Sequence, residues 1–341
     1  MKIFEHLKNN TNNMKDLNLL NKLIITSFCD GMSTAQYVFN KLFGSRIDLI
    51  YNAYELALKP ILLTLHHFPK TNQLGDIRNW RRNGVENAEG CHVLIAGTSC
   101  KRTSKAGKGD GFCTLEDIPR KVKNLETYII YDALGIKMNE SCICFFESIW
   151  YMRVVKPKFF FFEIPPLAKE WYDVFVKEIG VEGIMIDASL VSAQVRKRWF
   201  FTNIPINGQP KDLNILLSDM IPGATGYGTH SILNRKWNKN ISDPSVQKWL
   251  GIKEGINKEG KAYTLPCGGG QYILPDGSIH SYDRNHLEWL TGFPIGHTDV
   301  EGITLTDVRS MMGNGWSVPV TEFIFQGLEE FIQSLILVES H

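Results

Sequence analysis

The sequence predicts an α/β fold: a doubly wound, mostly parallel sheet with a small, loop-rich second domain. Three observations carry that prediction. Short apolar runs ending in Gly, Asp or Pro recur through the first two hundred residues, which is how strands buried on both faces read. Segments of helical spacing separate several of them, the alternation of a parallel sheet with crossover helices. From 206 to 280 the character changes to Gly, Pro, Asn and Lys with weak periodicity.

The elements follow in chain order. The run 23–31 ends in an Asp30-Gly31 turn, after which Ser33 or Thr34 can cap a helix over 33–43. A strand over 47–55 ends on Glu55, and a third ends in "QLGDIRNW", with Asp76 at its tip. The run 92–99 predicts the next strand, 115–135 and 145–156 predict helices, and the aromatic stripe of the second reads as helix core. Strands at 158–166, 183–190 and 198–205 and a helix at 170–180 complete this region. Helical pattern returns at 284–294 and 319–337, the last long and amphipathic enough to pack back on the sheet. Residues 1–205 and 281–341 are therefore assigned to the sheet domain and 206–280 to the small one.

Composition narrows the classes. The 341 residues are 43% hydrophobic, as in a globular protein with a sizeable core. Lys+Arg at 37 against Asp+Glu at 36 gives no global polyanion signal, so nucleic-acid contact must come from local patches. Such patches occur at Arg78-Arg81-Arg82, Lys101-Arg102-Lys105-Lys108, Arg196-Lys197-Arg198 and Arg235-Lys236-Lys239, and any one of them alone reads as a solvated face. Seven cysteines without a CxxC pair fit a reducing cytoplasm rather than a disulfide framework or zinc site. Cys29, Cys91, Cys142, Cys144 and Cys267 read as buried small hydrophobes, and Cys113 as exposed in a loop. The histidines, including His66, His67, His280, His286 and His297, form no metal-ligand pattern, so no metal is expected. The N-terminus lacks a signal-peptide core, and no stretch approaches the roughly 18 apolar residues of a membrane span. A cytoplasmic chain without membrane contact is expected.

Ligands of open parallel sheets bind beyond the carboxyl ends of the strands. Asp30, Glu55 and Asp76 stand in order at three successive strand ends. Each alone reads as a turn residue, but together they point to an adenosine-type cofactor.

The stretches "SCICFFESIWYMRVVKPKFFFFEIP", "IDASLVSAQVRKRWFFTNIP", "GKAYTLPCGGGQY", "HLEWLTGFPIGHTDV" and "MMGNGWSVPV" follow in that order. With "GTSCKRTS" at 97–104, this series resembles the DNA (cytosine-5) methyltransferases, particularly the short phage and bacterial enzymes, from about Leu23 to Phe325. The resemblance implies a methyltransferase-type, Rossmann-like sheet binding S-adenosyl-L-methionine. Phe28, Asp30, Gly31, Met32 and Ser33 would form the first turn of the donor site. Glu55 would hold the ribose and Asp76 with Ile77 the adenine, and Asn314 and Ser317 would close the donor side. It implies Cys100 as nucleophile, Glu163 on the cytosine ring, and Arg196 or Arg198 at the carbonyl oxygen or flanking phosphate. Gln194, Lys101, Arg102 and Lys105 would contact DNA, and 206–280 would be the target-recognition region. The partner implied is double-stranded DNA, and the chain is expected as a monomer or as partner of a restriction or phage modification system.

The chemistry requires these residue types. Carbon 5 of cytosine is a poor nucleophile until a thiolate adds at carbon 6, and only the thiolate is competent, so Cys100 needs a cationic or dipolar setting. The base must also leave its stack. The chain departs from the family in reading Ser99-Cys100-Lys101 for Pro-Cys-Gln or Pro-Cys-Asn, and Glu163-Ile164-Pro165 for Glu-Asn-Val. Alternatives are the same scaffold acting on another base, nucleotide or transferred group, and a catalytically weak DNA-binding regulator.

Overall fold

A computed structural model describes residues 22–44, 46–84, 88, 90–98, 111–228, 256–257 and 259–339. Cys100, Lys101, Arg102, Lys105, Lys108 and the cluster Arg235-Lys236-Lys239 lie outside the described residues. The chain divides into two compact units.

The first unit takes in the chain up to 186, with 198–209 and the segment from 321 onward. It carries the expected doubly wound sheet. The strands are β1 (Lys22–Phe28), β2 (Asp48–Tyr54), β3 (Asn72–Gln73), β4 (Val93–Gly97), β5 (Phe159–Ile164), β6 (Ile184–Asp187) and β7 (Lys197–Thr202), in the order β3-β2-β1-β4-β5-β7-β6. The pairs from β3 through β5 are parallel, and β7 runs antiparallel to β5. Helices α1 (Thr34–Phe43), α2 (Leu58–His67), α3 (Asn79–Arg82), α4 (Leu125–Ala133), α5 (Glu140–Val155) and α6 (Lys169–Ile179) connect the strands.

The aromatic stripe of α5 is core, as expected. Phe145, Phe146, Ile149 and Tyr151 are essentially fully buried, and Phe145 stacks on Phe112 at 5.0 Å and on Phe175 at 4.1 Å. Each such ring contributes about 2–3 kcal/mol on burial. The helix expected over 115–135 begins only at Leu125. Pro119 lacks the N–H a helix interior needs, and the chain around it folds back, with Thr114 and Val122 donating to the carbonyls of Arg120 and Phe112. The Asn124 side chain then caps α4 by accepting from the Thr127 N–H at 2.8 Å. That fold-back buries Cys113, which was expected exposed, under the Asn139 amide at 3.1 Å. Cys29 and Cys144 are only half-buried and Cys267 is exposed, so three of the five cysteines read as core residues are not.

The second unit comprises 187–197 and 210–320. Strands β8 (Thr225–Tyr227), β9 (Gln271–Ile273) and β10 (Ile279–Ser281) form an antiparallel sheet, with helices α7 (Arg284–Thr291) and α8 (Leu305–Asn314). The sequence assigned 281–341 to the sheet domain; α7 and α8 lie in this unit and pack on each other. Gly313 is required here, since a Cβ would stand 2.6 Å from the Cys267 nitrogen. Fully buried Glu288 accepts from the Gly296 N–H at 2.7 Å and from the Thr298 N–H and hydroxyl at 2.6 Å, fixing the "GFPIGHT" loop. The last helix, α9 (Val318–Glu339), closes the chain. No helix among the described residues is long and apolar enough to cross a membrane.

Candidate active site

The turn leaving β1 is conformationally costly. Cys29 (φ 53°), Gly31 (φ 61°) and Ser33 (φ 54°) are all left-handed, and only glycine adopts this region freely. Such strain persists where surrounding bonds over-determine it, and here they do. One oxygen of Glu55, at the tip of neighbouring β2, accepts from the Gly31 N–H at 2.8 Å, and the other accepts from Leu56 and Ala57, each at 2.8 Å. Asp30 accepts from the Tyr51 hydroxyl at 2.7 Å and from the Ser33 hydroxyl. Ser33 therefore does not cap α1 through its side chain, contrary to expectation. Met32 is buried, and Phe28 is fully buried edge-on against Tyr54 at 4.8 Å and Tyr151 at 5.0 Å. The Phe28 side chain is a core residue.

Burial pushes the Asp30 carboxyl up to about 6, against hydroxyl donors that favour its ionised form. Its folded pKa thus lies above the unfolded value of about 3.9. Asp30 therefore contributes stability that is complete below about pH 4 and is lost as the pH rises through 6. We expect the unfolding free energy of Asp30→Asn, measured relative to wild type by urea titration, to rise by up to about 3 kcal/mol between pH 4 and pH 8. A flat difference across that range contradicts the assignment.

Asp76 and Ile77 follow β3, the strand beside β2. Asp76 accepts from Arg78 through its Nε at 2.9 Å, its Nη2 at 2.6 Å and its backbone N–H at 2.9 Å. The Arg78 hydrogen bonds hold the Asp76 carboxyl below its usual range. Arg78 is therefore paired with Asp76 and not simply part of a solvated basic face. Sequence reasoning also passed over Leu56 and Leu58, which follow Glu55 and are 73% and 72% exposed. Two leucines directly after an acid at a strand end, Glu55-Leu56-Ala57-Leu58, are the signal the sequence carries.

Glu163, near the end of β5, pairs with Arg198 of β7 at 2.8 Å, and both side chains are nearly buried. Gly97 at the end of β4 stands in register with Glu163, and the next residue, Thr98, donates its hydroxyl to the Glu163 carbonyl at 3.4 Å. Cys100 is two residues further along the chain.

The remaining expected residues belong to the second unit. Arg196 is buried, and its Nη2 donates to the carbonyls of Gly313 at 3.1 Å and Gly315 at 2.5 Å, tying down the end of α8. The two arginines of the Gln-x-Arg-x-Arg run thus have different partners. Gln194 is 1% exposed, and neither polar atom of its side-chain amide has a hydrogen-bond partner among the described residues. A buried amide in that state is unusual. Asn314 is exposed and accepts from the Cys267 thiol at 3.2 Å, while Ser317 is buried.

No family model matches the chain. Among solved structures it is similar to the Entamoeba histolytica methyltransferase EhMeth, with a TM-score of 0.53 and 13% identity over 90% of this chain and 99% of that one. It is similar to the S. pombe Dnmt2 methyltransferase, with a TM-score of 0.58 and 13% identity over 92% of this chain and 99% of that one. A DNMT2 mutant from Spodoptera frugiperda gives a TM-score of 0.56 and 12% identity over 90% of this chain and 99% of that one. Likeness at this level of identity shows the fold. The chain has the α/β methyltransferase fold, with a seven-stranded, mostly parallel sheet flanked by helices.

Proposed function

We propose that the chain transfers a methyl group from S-adenosyl-L-methionine to carbon 5 of cytosine in double-stranded DNA, through covalent addition of Cys100 to an extruded base. One arrangement carries the proposal. The strained β1 turn bound to Glu55 and the Glu163–Arg198 pair beside Thr98 share the carboxyl edge of one sheet, with β4 alone between β1 and β5. Strands are spaced about 4.8 Å apart, so the two tips stand about 10 Å from each other. That separation suits a donor and an acceptor meeting between them.

The residues fit the donor. The Asp30–Glu55 cradle offers acceptors for ribose hydroxyls, Asp76 offers an acceptor for an adenine amino group, and exposed Leu56 and Leu58 offer apolar cover for a flat ring. When bound, S-adenosyl-L-methionine supplies an electrophilic methyl on a sulfonium. Cys100 adds to carbon 6 of the base, which makes carbon 5 nucleophilic; once carbon 5 has taken the methyl group, a base removes its proton and the Cys100 sulfur leaves from carbon 6. Glu163 holds the proton at ring nitrogen 3 as the sulfur attacks, and Arg198 keeps the carboxylate oriented. In this reading Gln194, whose side-chain amide has no hydrogen-bond partner among the described residues, contacts nucleic acid. The segment 206–280 supplies target recognition in this reading.

The Glu163–Arg198 pair stands beside the segment that carries Cys100, which supports catalysis over a purely DNA-binding role. The test is mass spectrometry of nucleosides from DNA and RNA of matched sequence after incubation with the chain and the donor. We expect 5-methylcytosine in the DNA. Modified cytosine only in RNA would reassign the substrate, and its absence from both would overturn the proposal.

A further inference from the structure

We propose that Glu147 is a positioning residue for the methyl-donor pocket, holding α3, and through it the Asp76–Arg78 turn, in the register that receives the adenine edge. This inference rests on the donor reading given above. Helix α3 has four residues, too few to be stable alone, because helix nucleation is not repaid in one turn. Its place must therefore come from tertiary anchors.

Those anchors converge on one buried carboxylate. Glu147 lies in the middle of α5 and is fully buried. It accepts from Trp80 Nε1 at 2.8 Å, from Arg81 Nη2 at 2.7 Å and from the Tyr128 hydroxyl at 2.7 Å. Arg81 also pairs with Asp132 at 2.8 Å and lies 4.7 Å from the centre of the Trp150 ring. Burial and the Glu147 charge push the Tyr128 phenol up, so it stays a proton donor. At its other end α3 joins the pocket directly. The Asn79 N–H donates to the Asp76 carbonyl at 2.9 Å, and its side chain donates to the Leu74 carbonyl at 2.8 Å.

Stability alone is a poor reason for this network, since a well-packed apolar replacement for a buried ion pair is often neutral or stabilising. What a buried, fully partnered carboxylate adds is a fixed geometry. Here the fixed segment is the one carrying the adenine-binding carboxylate.

The test is a double-mutant cycle read by calorimetry with S-adenosylhomocysteine, well below the melting temperature. Glu147→Gln and Trp80→Phe, the second chosen because it keeps the ring packing, should each raise Kd about tenfold. In an Asp76→Ala background the same changes should raise Kd by less than about twofold, because the group they position is gone. In turnover, KM for the donor should rise while kcat at saturation holds. An unchanged Kd with a lowered melting temperature, or an equal loss of affinity in the Asp76→Ala background, would overturn the inference and leave the donor reading intact. A wild-type chain that binds no S-adenosylhomocysteine would overturn the donor reading and the inference with it.

Discussion

Glu163→Gln is expected to lower methyl transfer about a thousandfold while leaving S-adenosylhomocysteine affinity within about twofold of wild type. The expectation follows from where the carboxylate stands. It is almost enclosed, it faces Arg198 at 2.8 Å, and its backbone carbonyl is tied to Thr98, at the start of the segment that carries Cys100. Glutamine keeps the volume and can donate a hydrogen bond to ring nitrogen 3, but its amide cannot give up the proton. The loss therefore falls on kcat, since the affected interaction forms as sulfur attacks. The proposed donor residues Asp30, Glu55 and Asp76 follow the ends of other strands and are untouched. The variant also removes the charge that faces Arg198 at 2.8 Å, so its melting temperature falls. Steady-state kinetics with calorimetry separates these effects. Activity within about tenfold of wild type would remove Glu163 from proton handling.

Most of the sheet was legible because its strands are buried on both faces, and runs such as 23–31 and 158–166 cannot easily be anything else. The three acids at successive strand tips were legible for a related reason: a parallel sheet places all its carboxyl ends on one edge. What the sequence hid was contact between distant positions. Nothing local says that Arg81 meets Glu147, 66 residues away. One read as a solvated cation and the other as part of an aromatic core stripe. Nor could the pattern say which arginine reaches Glu163. That depends on the antiparallel register of β5 and β7, in which Ile164 faces Trp199 and Glu163 faces Phe200. Arg198 lies on the paired strand, whereas Arg196 precedes it and is captured by the Gly313 and Gly315 carbonyls. The false helix over 115–124 came from counting apolar spacing through Pro119. The exposure of Cys113 was misjudged because the fold-back that buries it is a loop without periodicity.

The proposed reaction turns on a covalent bond between the Cys100 sulfur and carbon 6 of cytosine. DNA containing 5-fluorocytosine exposes that bond. Fluorine stands where the carbon 5 proton must leave, so after methyl transfer the sulfur cannot depart and the intermediate accumulates. Incubated with S-adenosyl-L-methionine, the wild-type chain should form a denaturation-resistant complex with such DNA. Its mass should equal that of chain, DNA and one methyl group, its cross-linked peptide should contain Cys100, and Cys100→Ser should form none. Absence of the complex from wild type, or its persistence in Cys100→Ser, would contradict the account.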